Sequence, residues 1–164
     1  MGYTYYELIN EWFRRSEKEK DYFTKFIFLF ISFIAFISQR YEGIEFDSKK
    51  RDTLKLEKEA SDFYTKKVNS DKKLKEMMTN LVDYLDKDPI KNRTRANEKW
   101  DGKLDDIYDW PNLVEFWFMI RNNLFHGHKG PGFVRDQKLV AYAFETLYPL
   151  MENFIKQQLV WEFD

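Results

Sequence analysis

Between Ile120 and Lys129 the chain reads Ile-Arg-Asn-Asn-Leu-Phe-His-Gly-His-Lys, which gathers an arginine, two asparagines, both histidines of the protein and a lysine. These side chains suit phosphodiester cleavage. A histidine titrates near neutral pH and can take the proton from a hydroxyl nucleophile. An arginine can grip a phosphate with two N–H groups and offset the charge that builds up in the transition state. Here those groups are His126 and Arg121, with Asn122 placed to orient the imidazole or the phosphate and His128 and Lys129 as further phosphate contacts. If no metal takes part, the substrate must be RNA, whose 2′-hydroxyl supplies the nucleophile and whose product is a 2′,3′-cyclic phosphate.

Helical geometry constrains this reading. Residues five apart on a helix point about 140° away from each other, so Arg121 and His126 do not share a face, whereas Asn122 and His126 do. Either the helix loosens near Gly127 and frees His126, or a second copy sets its own motif opposite this one across a two-fold axis. Other readings of the stretch stand beside this one. A histidine next to a glycine at a helix end serves as a C-cap. His126 and His128 have metal-ligand spacing but no third ligand nearby in sequence, so no metal is expected. Neither a phosphate-cradling Gly-Lys-Ser/Thr motif nor support for a Ser-His-Asp triad is present. With no cysteine in the chain, disulfides, thiolate metal sites and a cysteine nucleophile are excluded.

The elements that must hold this stretch are helices. At 164 residues, with 19% aromatics, 34% charged residues, few glycines and no sustained two-residue alternation, the chain reads as a single all-α domain over residues 1–164. A bundle of four to five main helices is expected. Thr4-x-x-Glu7 and Ser16-x-x-Glu19 both read as capping boxes, with Leu8, Ile9, Trp12 and Phe13 on a first apolar face and Phe23 to Ile37 on a second. Gly43 marks a stop, Asp47-Ser48 a cap, and residues 50–68 one amphipathic stretch carrying Leu54, Leu56, Ala60, Phe63, Tyr64 and Val68. Asn69-Ser70-Asp71 breaks and recaps the chain before Leu74 to Leu85. Asp109-Trp110-Pro111-Asn112 opens the motif helix, whose Leu113, Val114, Phe116, Trp117, Ile120, Leu124 and Phe125 face the core. Arg135-Asp136 opens the last helix, with a kink expected at Pro149.

Residues 89–109 lose the helical period and read as an irregular loop insertion. Its first half is basic, and Arg93 and Arg95 are candidates for contact with an RNA backbone. Since the net charge is −1, no whole-protein field draws nucleic acid, and any affinity must come from a local patch. The apolar run Phe26–Ile37, bracketed by Lys25 and Arg40, falls short of the roughly 20 residues a membrane span needs. It reads as a buried helix, so neither a membrane nor a signal peptide is expected.

Arg121-Asn122-x-x-Phe125-His126-Gly127 resembles the Arg-polar-x3-His signature of HEPN domains, and the stretch from Trp110 to Leu159 is similar to their motif helix, short Gly/Pro loop and terminal helix. Phe30 to Tyr41 resembles the aromatic core helix of that superfamily. The resemblance implies a small helical bundle, a homodimer with its two motifs facing one cleft, and a metal-independent endoribonuclease without cofactors. Arg121 and His126 would be its catalytic pair and Asn122 the polar assistant. It also implies a cytoplasmic role as a toxin or anti-phage effector, with an antitoxin or defence-system protein as partner. Some members of the superfamily have lost catalysis and only bind RNA, nucleotides or proteins. A third reading is a purely structural bundle in which Arg121 pairs with an internal carboxylate.

Overall fold

A computed structural model describes residues 4–90, 100–125 and 134–157. They form seven α-helices and no strand: α1 (Tyr5–Lys18), α2 (Tyr22–Arg40), α3 (Asp47–Leu56), α4 (Lys58–Ser70), α5 (Lys72–Lys87), α6 (Trp110–Phe125) and α7 (Val134–Lys156). The all-α class is as expected; the helix count exceeds the four to five expected, for reasons found at particular residues.

The Thr4/Glu7 capping box forms with both reciprocal bonds and opens α1. The Ser16/Glu19 pattern does not open a helix. Ser16 is buried inside α1, its hydroxyl donating back to the Phe13 carbonyl at 2.6 Å, and α2 is capped instead by Asp21, which accepts from the Thr24 N–H. That bond to the charged form holds the Asp21 carboxyl below its usual range. Asp47 also lies one position inside its helix, since the N-cap of α3 is Phe46. The stretch 50–68 splits at Glu57, which ends α3 and precedes α4 without a glycine or proline. The Glu57 carboxylate accepts from Arg40 Nε at 2.9 Å and from the Arg40 Nη2 and Tyr41 hydroxyl as well, so contacts with the end of α2 draw the chain out of register. One consequence is that Leu56, expected in the core, is 86% exposed.

Aromatic rings knit the bundle around α6, in which every residue from Leu113 to Ile120 is buried. α2 meets it through Phe30 on Phe118 (5.1 Å between centroids) and Phe33 on Trp117 (5.7 Å). On its other sides α2 carries α1, where the Ser32 hydroxyl donates to the Ile9 carbonyl, and α7, where Phe36 stacks on Phe154. The Trp117 indole N–H donates to the Thr146 hydroxyl of α7 at 2.9 Å, and the Trp110 indole N–H to the Leu54 carbonyl of α3 at 2.9 Å, so both buried polar edges are satisfied. α7 passes through Pro149 and remains helical to Lys156. By length and composition the 19-residue α2 is the one helix among the described residues apolar enough to cross a membrane, which corrects the expectation that the run is too short. Its Phe26, Leu29, Phe33, Phe36 and Ile37 are nevertheless core residues of the bundle.

The irregular segment before α6 is pinned at its base. The Ile90 N–H donates to the Gly102 carbonyl at 3.2 Å, Tyr64 donates to the Ile107 carbonyl at 2.6 Å, and Asp109 caps α6 by accepting from the Asn112 N–H. Burial and the neighbouring carboxylates push the Tyr64 hydroxyl above its usual pKa, so it stays a donor. Gly102 has φ +78°, and a Cβ there would lie 2.2 Å from the Ile90 carbonyl oxygen. Gly102→Ala therefore faces both an unfavourable backbone region and a clash with backbone. A loss of about 1–3 kcal/mol is expected in urea denaturation; an unchanged midpoint would contradict this close approach.

Candidate functional site

The site begins where α6 emerges from the core. Up to Ile120 the helix is enclosed; Arg121 and Asn122 are half-buried, Asn123 is buried, and Phe125 is open to solvent. The Arg121 guanidinium carbon sits 5.7 Å from the centroid of the Phe30 ring and 4.9 Å from that of Phe125. Phe125 lies four residues on, one helical turn away on the same face. Contact with two rings orients the plane of the guanidinium and leaves its N–H donors at the rim of that plane.

Among the described residues, two side chains meet that rim. Arg121 Nη1 donates to the Asn122 Oδ1 at 3.0 Å, and Nη2 stands 4.0 Å from the Asp47 carboxylate at the start of α3. The second distance is beyond hydrogen-bonding range, and both side chains are substantially exposed (31% and 42%), so the pair contributes little to stability. Arg121 Nε is buried and has no hydrogen-bond partner among the described residues. The Asn123 Oδ1 is likewise buried without one.

The other arginines at helix junctions are differently placed. Arg40 binds the carboxylates of Glu57 and Glu59. Arg135 binds the Asp88 carboxylate and donates to the Asp88 and Pro89 carbonyls at 2.8 and 3.3 Å. Arg51 is buried beside Glu115, with Nε 3.5 Å from a carboxylate oxygen that also accepts from Lys55 at 2.6 Å. A purely structural bundle would place Arg121 in a setting of this last kind. Instead Arg121 is one-third exposed, with no hydrogen bond to a carboxylate among the described residues.

Of the residues singled out from the sequence, the structure brings Arg121 and Asn122 together. His126, His128, Lys129, Arg93 and Arg95 lie outside the described residues, as does Gly127. Phe125 was expected to face the core; it is 54% exposed. Sequence reasoning missed Phe30 and Asp47 as neighbours of Arg121. Phe125 was recoverable from the four-residue spacing, whereas the Asp47 contact crosses 74 positions (121 minus 47) and carries no local signal. Among the described residues no group of three His, Asp or Glu side chains is placed to hold a metal. No family model matches the chain, and no curated protein or solved structure matches it significantly.

Proposed function

We propose that the protein is a metal-independent endoribonuclease of HEPN type, acting in the cytoplasm as a homodimer and serving as a toxin or anti-phage effector. The observation that carries this reading is Arg121: a guanidinium held at the mouth of the core by two aromatic rings, with a buried N–H lacking a partner among the described residues, five residues before His126. A core arginine would be saturated by carboxylates; this one is oriented, and its Nη2 makes no hydrogen bond among the described residues, which leaves a donor for a phosphate.

In the proposed reaction a neutral His126 imidazole takes the 2′-hydroxyl proton. The 2′-oxygen bonds to the adjacent phosphorus, the bond from phosphorus to the 5′-oxygen breaks, and that oxygen picks up a proton from a second imidazolium or from water. Arg121 offsets the charge accumulating on the non-bridging oxygens. The Asn122 carboxamide fixes one edge of the guanidinium, which keeps the remaining donors directed. The products are a 2′,3′-cyclic phosphate and a 5′-hydroxyl.

The test is cleavage of single-stranded RNA by purified protein in EDTA. Wild type should cut and His126→Ala should not; cleavage persisting in the variant would refute the assignment. A non-catalytic module that binds RNA, a nucleotide or a partner protein through the same loop is the second reading. It is favoured by the nearness of Asp47, a carboxylate that competes with phosphate for Arg121. Binding without cutting over a range of salt would support it.

A further inference from the structure

Phe125 and Phe46 are the two most exposed phenylalanines among the described residues, at 54% and 57%; Phe125 lies against Arg121, and Phe46 is one position before Asp47, the carboxylate beside Arg121. One face of the Phe125 relationship is fixed by the guanidinium 4.9 Å from its centroid. Phe46 immediately precedes Asp47, whose carboxylate stands 4.0 Å from Arg121 Nη2, and the Lys49 ammonium lies 5.9 Å from the Phe46 ring centroid. Lys50 adds a third cation, 3.8 Å from Asp47. The surface therefore comprises an open ring on an arginine and a second open ring at the start of α3, with two lysines on that helix and Asp47 within 4.0 Å of both Arg121 and Lys50. Burying it against an apolar protein face would strand these charges, a costly outcome. A single-stranded polynucleotide satisfies both features at once, since it alternates flat bases with phosphates.

We infer that Phe125 and Phe46 are base-stacking platforms that seat single-stranded RNA across Arg121, with bases on the rings and a phosphate on the guanidinium. The inference rests on the reading that this site engages RNA, and it is independent of whether the RNA is cut. Stacking is tolerant of sequence, because every base has a π-face, so the platforms would position a strand without selecting its sequence. Asp47 is the group a bound phosphate displaces from the neighbourhood of Arg121.

The test uses an end-labelled, single-stranded 2′-O-methyl RNA oligonucleotide, which lacks the nucleophile and cannot be cut by 2′-hydroxyl attack. Binding is followed by fluorescence anisotropy. Phe125→Leu and Phe46→Leu should each weaken binding about 10- to 100-fold, Phe125→Tyr should stay close to wild type, and an abasic oligonucleotide should bind wild type as weakly as the leucine variants bind the normal one. Wild-type affinity in either leucine variant, or equal binding of the abasic strand, would overturn the inference. So would self-association of the wild type that Phe125→Leu abolishes while oligonucleotide binding is unchanged, which would identify the surface as a contact between copies. Ring-dependent binding with no cutting of ordinary RNA would sink the nuclease reading alone. Normal cutting by Phe125→Leu would sink the platform alone.

Discussion

Arg121→Ala is expected to slow RNA cleavage about 100- to 1,000-fold, the usual cost of removing one group that stabilises transition-state charge. Stability should change little. The side chain is one-third exposed, its ion pair with Asp47 is long and solvated, and its ring contacts are worth about 0.5–1 kcal/mol at such a position. Arg121→Lys should recover only part of the rate, because an ammonium keeps the charge but cannot present two parallel donors to a phosphate. Single-turnover rates on a labelled RNA, with a urea melt of each variant, separate the two effects. A variant that unfolds early and cuts slowly in proportion would make Arg121 a structural residue.

Glu115→Ala should have the opposite signature. Glu115 lies six residues earlier on the same helix and is 6% exposed. It accepts from Lys55 at 2.6 Å and stands 3.5 Å from Arg51, which is itself 5% exposed. Truncating it removes a buried carboxylate beside a buried guanidinium; breaking such a pair from one side costs about 3–5 kcal/mol, and the lower end is expected because Arg51 Nε also donates to Asp52 at 3.2 Å. Urea denaturation reads this directly. Glu115→Gln, which keeps the shape and an acceptor, should lose less. A loss in Glu115→Ala no larger than that of a surface pair, about 1 kcal/mol or below, would contradict the buried-cluster description. Together the two variants separate an arginine–carboxylate contact that holds the fold from one that does not.

Much of this was written in local chemistry. The Thr4/Glu7 box, the Asp71 cap of α5 and the acidic-proline start at Asp109 to Pro111 each act through bonds within a few residues, and each forms where the sequence places it. Misreadings arose where a distant group intervened. Glu57 breaks a helix because Arg40 and Tyr41 hold its carboxylate, and no periodicity in residues 50–68 reveals that. Ser16 could serve either as a cap or as a helix-interior hydroxyl bonded to its own backbone; burial inside α1 decided for the second. Leu56 and Phe125 look like core by residue type, but Leu56 is the last residue of α3 and Phe125 lies beyond the enclosed stretch 113–120 of α6, and both are exposed. At the site, Arg121 and Asn122 were singled out from the sequence but not as partners of each other, and the ring of Phe30 and the carboxylate of Asp47 come from α2 and α3, where only the tertiary packing brings them to Arg121.

The proposed chemistry requires the ribose hydroxyl next to the broken bond. The decisive measurement maps a cut in a short RNA in EDTA, then replaces the single nucleotide 5′ to that cut with its 2′-deoxy counterpart. The account expects cutting at that position to stop, while other sites continue to yield 2′,3′-cyclic phosphate and 5′-hydroxyl ends. Continued cutting at the deoxy position, leaving a 5′-phosphate and a 3′-hydroxyl, would contradict it.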